Sequence, residues 1–193
     1  MITAIVLAAG QSTRMRKPKM TLPWGKSTVI GQVVSVLLEA GVDQLCVVAG
    51  SNLLDLEAAL QNLSVSYVIN PNYATGEMIS SVQVGLCCVS TETEAAMIVL
   101  GDQPQIEAQV VISIIEQYRT DANRLIVPSY QYHRGHPWLI DKSLWNEIID
   151  LKPPLTLRDF LNRNQKEIFY LCVDTPSVIQ DIDTPEDYQY FHP

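Results

Sequence analysis

Ile2-Thr3-Ala4-Ile5-Val6-Leu7-Ala8-Ala9-Gly10 opens the chain, and Gln11-Ser12-Thr13-Arg14-Met15-Arg16-Lys17-Pro18-Lys19 follows it directly. Ile2 to Leu7 is an almost unbroken aliphatic run without polar alternation, the pattern of a strand buried on both faces. Ala8, Ala9 and Gly10 then give small side chains at the strand's carboxyl end, where backbone amides can come close to a ligand. Residues 1–38 hold Arg14, Arg16, Lys17, Lys19 and Lys26 and no carboxylate, in a chain with 21 acidic and 13 basic residues and a net charge of −8. Positive charge gathered behind a buried strand predicts a site for a small polyanion, with nucleotide phosphates as the first candidate.

The rest of the chain repeats the strand-then-helix pattern. Strands are expected at Ile2–Leu7, Gln44–Val48, Ser66–Ile69, Ala96–Leu100 and Leu125–Val127, and later at Trp138–Ile140, Ile168–Val173 and Val178–Gln180. Helical periodicity appears at Val29–Ala40, Leu53–Leu60, Ser80–Val89 and Ile106–Tyr118, with Gly41 standing where a helix-terminating glycine belongs. The βαβα order predicts an α/β fold: a doubly wound, mostly parallel sheet, Rossmann-like, with helices on both faces and right-handed crossovers. Ligands bind such sheets beyond the carboxyl ends of the strands, which singles out Ala8 to Lys19, Asn70 to Ser81 and Gly101 to Gln105. We read residues 1–193 as a single domain, with nucleotide on about 1–105 and the acceptor on about 106–193. Lys152-Pro153-Pro154 is a break within it.

Composition narrows the classes. A content of 47% hydrophobic and 18% charged residues describes an ordinary globular protein. No apolar run approaches the roughly 20 residues of a membrane span, and no basic residue precedes Ile2–Ala9 as a signal peptide would require. A cytoplasmic protein is expected, with no membrane partner. The acidic surface argues equally against nucleic acid. Cys46, Cys87, Cys88 and Cys172 form no Cys-x-x-Cys pair and are read as buried, reduced thiols.

Two familiar phosphate motifs fail. Gly25-Lys26-Ser27 resembles the end of a P-loop, but the first glycine would fall on Met20, and the tripeptide lies well past its strand. A dinucleotide-binding turn needs three glycines where this one has only Gly10, and the strand ending at Val48 lacks an acidic residue for a ribose.

What remains is Leu7-Ala8-Ala9-Gly10, Ser12, Arg14-Met15, Lys19 and Leu22-Pro23. These residues resemble the nucleotidyltransferases whose amino terminus reads L-A-[AG]-G-x-S-x-R-M-G, then K-x-x-x-P. The resemblance runs on through Asn70-Pro71, Gly76 with Met78 and Ser80-Ser81, Gly101-Asp102-Gln103-Pro104, Arg134-Gly135-His136-Pro137 and Asp181-Ile182-Asp183-Thr184-Pro185-Glu186-Asp187. It is most similar to the molybdenum cofactor cytidylyltransferase branch. Gly-His-Pro favours that branch, and Ala9 stands where the guanylyl branch usually has glycine. One departure is Arg16, which replaces the glycine after Arg-Met and would be strained if that position needs a positive φ.

The resemblance implies an enzyme that transfers a nucleoside monophosphate, CMP from CTP, to the phosphate of a molybdopterin-type cofactor and releases pyrophosphate. Its partners would be a nucleoside triphosphate and a phosphorylated small molecule, with a molybdoenzyme or accessory protein downstream. Leu7, Ala8, Ala9, Gly10, Ser12, Arg14, Lys19, Asn70, Ser80, Ser81 and Gly101 would bind nucleotide, and His136 the acceptor. Arg14, Lys19 and Asp102 would be catalytic, and Asp102 and Asp183 would hold Mg²⁺. Like charges about 4 Å apart repel by roughly 4 kcal/mol at an effective dielectric of 20, so cations and positioning must carry a reaction between two polyanions.

Each residue has a plainer reading. Asp102 suits an Asx turn before Pro104, and Ser80 and Ser81 suit helix capping. Thr184, Pro185 and Asp187 form a helix start that leaves Asp183 free, while Asp181 reads as a turn residue. Trp138 and Trp145 read as packing. His133 and His136, three apart in an extended segment, point to opposite faces and do not make a zinc pair. The rivals are the same fold with another nucleotide or a phosphorylated sugar or polyol, and a nucleotide-binding accessory protein that does not turn over.

Overall fold

The computed structural model describes residues 1–15, 17–121 and 123–193. The expectation for Arg16 lies outside the described residues. In chain order the elements are β1 (Ile2–Leu7), β2 (Pro23–Trp24), β3 (Ser27–Thr28), α1 (Val29–Glu39), β4 (Gln44–Ala49), α2 (Leu53–Leu60), β5 (Ser66–Ile69), α3 (Glu77–Cys88), β6 (Ala95–Leu100) and α4 (Ala108–Asp121). They continue with β7 (Leu125–Tyr130), β8 (His133–Arg134), β9 (Trp138–Asp141), α5 (Trp145–Ile149), α6 (Leu157–Arg163), β10 (Ile168–Cys172) and α7 (Pro185–Phe191).

One mixed, mostly parallel sheet runs β10-β7-β9-β6-β1-β4-β5, with β8 paired to β7 and β2–β3 a separate hairpin. β1 lies between β4 and β6, parallel to both. β9, antiparallel to β6 and to β7, and the short β8, antiparallel to β7, run against the other strands. The sheet is covered on both faces, as the β1 side chains show. Ala4 and Val6 pack with α1, α2 and α4, whereas Ile5 and Leu7 pack with α3, α5 and α6. All six β1 residues are buried, as their unbroken apolar run requires.

Local rules explain the joins. Thr28 caps α1 by accepting from the Gly31 amide at 3.1 Å, and Gly41 ends that helix with a φ of +77°, open to glycine without steric cost. Gln83 on α3 donates to the carbonyls of Ile148, Ile149 and Leu151, satisfying the end of α5. Trp138 and Trp145 are core residues, and their indole N–H groups donate to Gly135 and Ile140 carbonyls.

The structure corrects several expectations. Val178–Gln180 is not a strand: Pro176–Ile179 is a 3₁₀ turn, capped by Thr175 and opened by Pro176, both of which favour a helical start. α3 begins at Glu77 rather than Ser80, with Gly76 at its cap, so Ser80 and Ser81 lie inside the helix. All four cysteines are free, but Cys46 alone among them is buried; Cys87, Cys88 and Cys172 are exposed. α5 and α6 were absent from the helical expectation. Among the described residues no helix is long and apolar enough to cross a membrane.

Candidate active site

Register decides what meets at the sheet's edge. Leu7 pairs with Leu100, so the residues leaving β1 and β6 emerge side by side. Gly101 follows directly, its amide donating to the Leu7 carbonyl at 3.0 Å; a Cβ there would come within 2.8 Å of that oxygen. The small residue lets β6 turn against β1, and Asp102 is aimed at the basic loop.

A cleft of about 480 Å³ opens there. Its lining includes Leu7, Ala9, Gly10, Ser12, Arg14, Lys19, Ser81, Asp102 and Asp183, nine of the residues expected from sequence. Tyr73, Glu77, Met78, Leu100 and Asp181 share it. Within the cleft the charged groups form a chain. Lys19 Nζ lies 2.6 Å from Asp102 Oδ2 and 3.0 Å from Asp183 Oδ1, and Arg14 Nη1 lies 3.0 Å from Asp183 Oδ2.

Exposure separates the two cations. The Lys19 side chain is 9% exposed, that of Arg14 74%. Burial alone would lower the Lys19 pKa, but the charge and hydrogen bond of Asp102, then Asp183, outweigh it and raise the pKa above that of a free lysine. Lys19 thus stays an ammonium although it is almost out of water. The loop holds it in place: Ser12 adopts a φ of +50° and its Oγ accepts from the Lys19 amide at 3.3 Å.

Asp183 is placed by α7. Thr184 and Asp187 form a capping box, and Asp187 Oδ2 also accepts from the Asp183 amide at 3.1 Å. The segment is tied to the other carboxylate, since Ile182 is buried and its amide donates to the Asp102 carbonyl at 3.0 Å. Asp181, read from sequence as a turn residue, lines the cleft instead. Burial, with the charges of Asp102 and Asp183, raises its pKa, while a 3.2 Å hydrogen bond from the buried Gln103 opposes that rise. The Asp-x-Asp spacing was the available signal for it.

Other expected residues stand behind the cleft rather than in it. The Ala8 amide is spent on Val48 and its carbonyl accepts from Asn52. Asn70 is buried, donates to Ser80 Oγ at 2.8 Å and Ser81 Oγ at 2.9 Å, and accepts from the Asn72 amide. It fixes the first turn of α3 against β5. His136 lies outside the cleft lining, two residues before β9, where its amide donates to the Val178 carbonyl at 2.8 Å. Its ring stacks on Trp138 at 4.5 Å, its Nε2 is buried without a partner among the described residues, and burial lowers its pKa to about 4. His136 is a neutral imidazole at pH 7.

Among the described residues no three His, Cys, Asp or Glu side chains are grouped as a metal site. The donor chemistry nevertheless fits a hard divalent cation. Asp102 and Asp183 bring one oxygen each to a common cation, here the Lys19 ammonium. Mg²⁺ characteristically takes one or two carboxylates and completes its shell with phosphate and water.

Residues 4–177 match the MobA-like NTP transferase domain. The chain belongs to that family. It is a nucleotidyltransferase. Among its relatives, the molybdenum cofactor cytidylyltransferase of Escherichia coli K12 is 28% identical over 188 residues, 97% of this chain and 93% of that protein. Nicotine blue oxidoreductase of Paenarthrobacter nicotinovorans is 25% identical over 194 residues, 96% and 93% of the two chains. The crystal structure of Rv0371c from Mycobacterium tuberculosis superposes with a TM-score of 0.88 at 29% identity, covering 99% of this chain and 96% of that one. A second crystal structure of Rv0371c, in complex with manganese, gives 0.81.

Proposed function

We propose that this nucleotidyltransferase transfers CMP from CTP to the phosphate of a molybdopterin-type cofactor, with release of pyrophosphate and with Mg²⁺ held by Asp102 and Asp183. One observation carries the reading: two cations and two carboxylates interlock inside a cleft at the carboxyl edge of β1 and β6. The E. coli relative's name supports the acceptor and the base, as does Ala9 on the cleft wall.

The chemistry follows from the charges. An acceptor phosphate is already an anion near neutral pH, so no general base is needed. Its oxygen forms a bond to the α-phosphorus while the bond from that phosphorus to the β-phosphate oxygen breaks, and pyrophosphate leaves with the electron pair. Lys19 and Arg14 bind the triphosphate oxygens, and Gly10 and Ser12 bring backbone close to them. Asp102 and Asp183 cancel those two cations, so the side chains alone offer a tetraanion no net attraction. Mg²⁺ supplies Lewis-acid stabilisation of the phosphates when bound. We assign the nucleotide to about residues 1–105 and the acceptor to about 106–193, with His136 as a neutral hydrogen-bonding contact to the acceptor.

Thermal unfolding with CTP, GTP, ATP and UTP, each with and without Mg²⁺, tests the assignment. A ligand at 100 times its Kd adds about 2.7 kcal/mol to the native state, or several degrees of Tm. CTP with Mg²⁺ should give the largest rise. A larger rise with another nucleotide would discard cytidylyl transfer and keep the enzyme class.

A further inference from the structure

The position that the two carboxylates share is already taken, by a side chain of the same chain. Lys19 Nζ contacts Asp102 Oδ2 at 2.6 Å and Asp183 Oδ1 at 3.0 Å. A Mg²⁺ or Mn²⁺ ion bound to those same oxygens at about 2.0–2.2 Å would lie against the ammonium, cation on cation. The two cannot stand there together.

We propose that Lys19 is a resident counterion of the divalent-metal position, which opens when a triphosphate draws the ammonium away, so that metal and nucleotide bind as a coupled pair. The inference rests on the reading of Asp102 and Asp183 as metal ligands.

Burial makes the exchange depend on nucleotide. Among the described residues Lys19 pairs with Asp102 and Asp183 and with no other carboxylate, and its side chain is 9% exposed. Metal entering alone would leave that ammonium buried and unpaired, a costly state. A triphosphate supplies the replacement anion. Arg14 is no such gate: at 74% exposure it can leave Asp183 for water. The motion is confined to the side chain, because the Lys19 amide is held by Ser12 Oγ and its carbonyl accepts from the Leu22 amide at 3.3 Å. Coupled binding of this kind spares the catalytic carboxylates from free metal until substrate is present.

The test is Mn²⁺ affinity of the full chain without nucleotide, read from the electron paramagnetic resonance signal of free Mn²⁺. Lys19→Met should bind Mn²⁺ roughly 5- to 150-fold more tightly than wild type, the usual span of coupling between sites. Asp102→Asn in the Lys19→Met background should remove the gain. Equal affinity of Lys19→Met and wild type, with Asp102→Asn still weakening both, overturns the counterion role and leaves the metal site standing. Mn²⁺ binding indifferent to Asp102→Asn in either background overturns the metal reading itself. A second measurement needs no variant: acetic anhydride labelling of wild-type Lys19, read by mass spectrometry. Labelling should rise as Mn²⁺ is added to saturation; labelling that stays flat through saturation contradicts the proposal.

Discussion

Lys19 can be almost wholly buried because two carboxylates meet its ammonium, and the same contacts hold those carboxylates in register for a ligand. Asp102→Asn keeps the shape and removes the charge. Turnover should fall by about 100-fold or more, the loss typical of removing one preorganised electrostatic contact, and Tm should fall too, because the buried Lys19 loses the nearer of its two carboxylate charges. Pyrophosphate release near the wild-type rate would sink the assignment of Asp102. His136 makes a separate prediction. Its native pKa of about 4 lies below the ordinary value of 6.5, so its neutral form is favoured by folding. That contribution is intact above pH 6.5 and is lost as pH falls towards 4, at up to about 1.4 kcal/mol per pH unit. Denaturant unfolding between pH 6.5 and 5 should show the slope, and His136→Gln should flatten it. A slope unchanged in the variant would contradict the buried, neutral imidazole.

The charged side chains of the site stand on loops and turns, and the neighbouring elements fix them there. The α7 capping box fixes the Asp183 amide, so Thr184→Ala should cost about 1 kcal/mol and lower turnover more than that loss explains, with Thr184→Ser restoring both. Unfolding and initial-rate measurements on the two variants decide it; turnover unaffected in Thr184→Ala would free Asp183 from this device. Gly101→Ala puts a Cβ 2.8 Å from a backbone oxygen that cannot yield, and should destabilise by about 1–3 kcal/mol in the same unfolding measurement. At this scale the sequence was only partly legible. β1, α2 and β5 were readable to the residue, β1 because it is an unbroken apolar run, α2 and β5 because turn signals bound them. α5 spans five residues and α6 seven, too short for a period to register, and both owe their existence to packing on α3 and the sheet. Val178 and Ile179 have strand-forming side chains, but Thr175 and Pro176 impose a 3₁₀ start. The reversal of β9 was not legible, because strand direction leaves no mark in an apolar run.

Over the whole molecule, charge and function are segregated: five basic residues and no acidic ones in the first 38, within a chain of net charge −8. The basic loop pointed to phosphate, and the motif order pointed to Asp102 and Asp183. Their meeting on Lys19 could not be read, because it joins residues 83 and 164 positions apart. Asp181 was read as a turn residue, because its hydrogen bond from Gln103, 78 positions away, leaves no local mark. Once Mg²⁺ is held, the attraction between this cleft and a triphosphate is screened by ions, so nucleotide Kd in the presence of Mg²⁺ should rise with ionic strength. The most direct test of the account is pyrophosphate release by the full chain with a molybdopterin-type acceptor, Mg²⁺ and each of the four nucleoside triphosphates. Acceptor-dependent release that is fastest with CTP is the predicted result; no release above background with any of the four would contradict it.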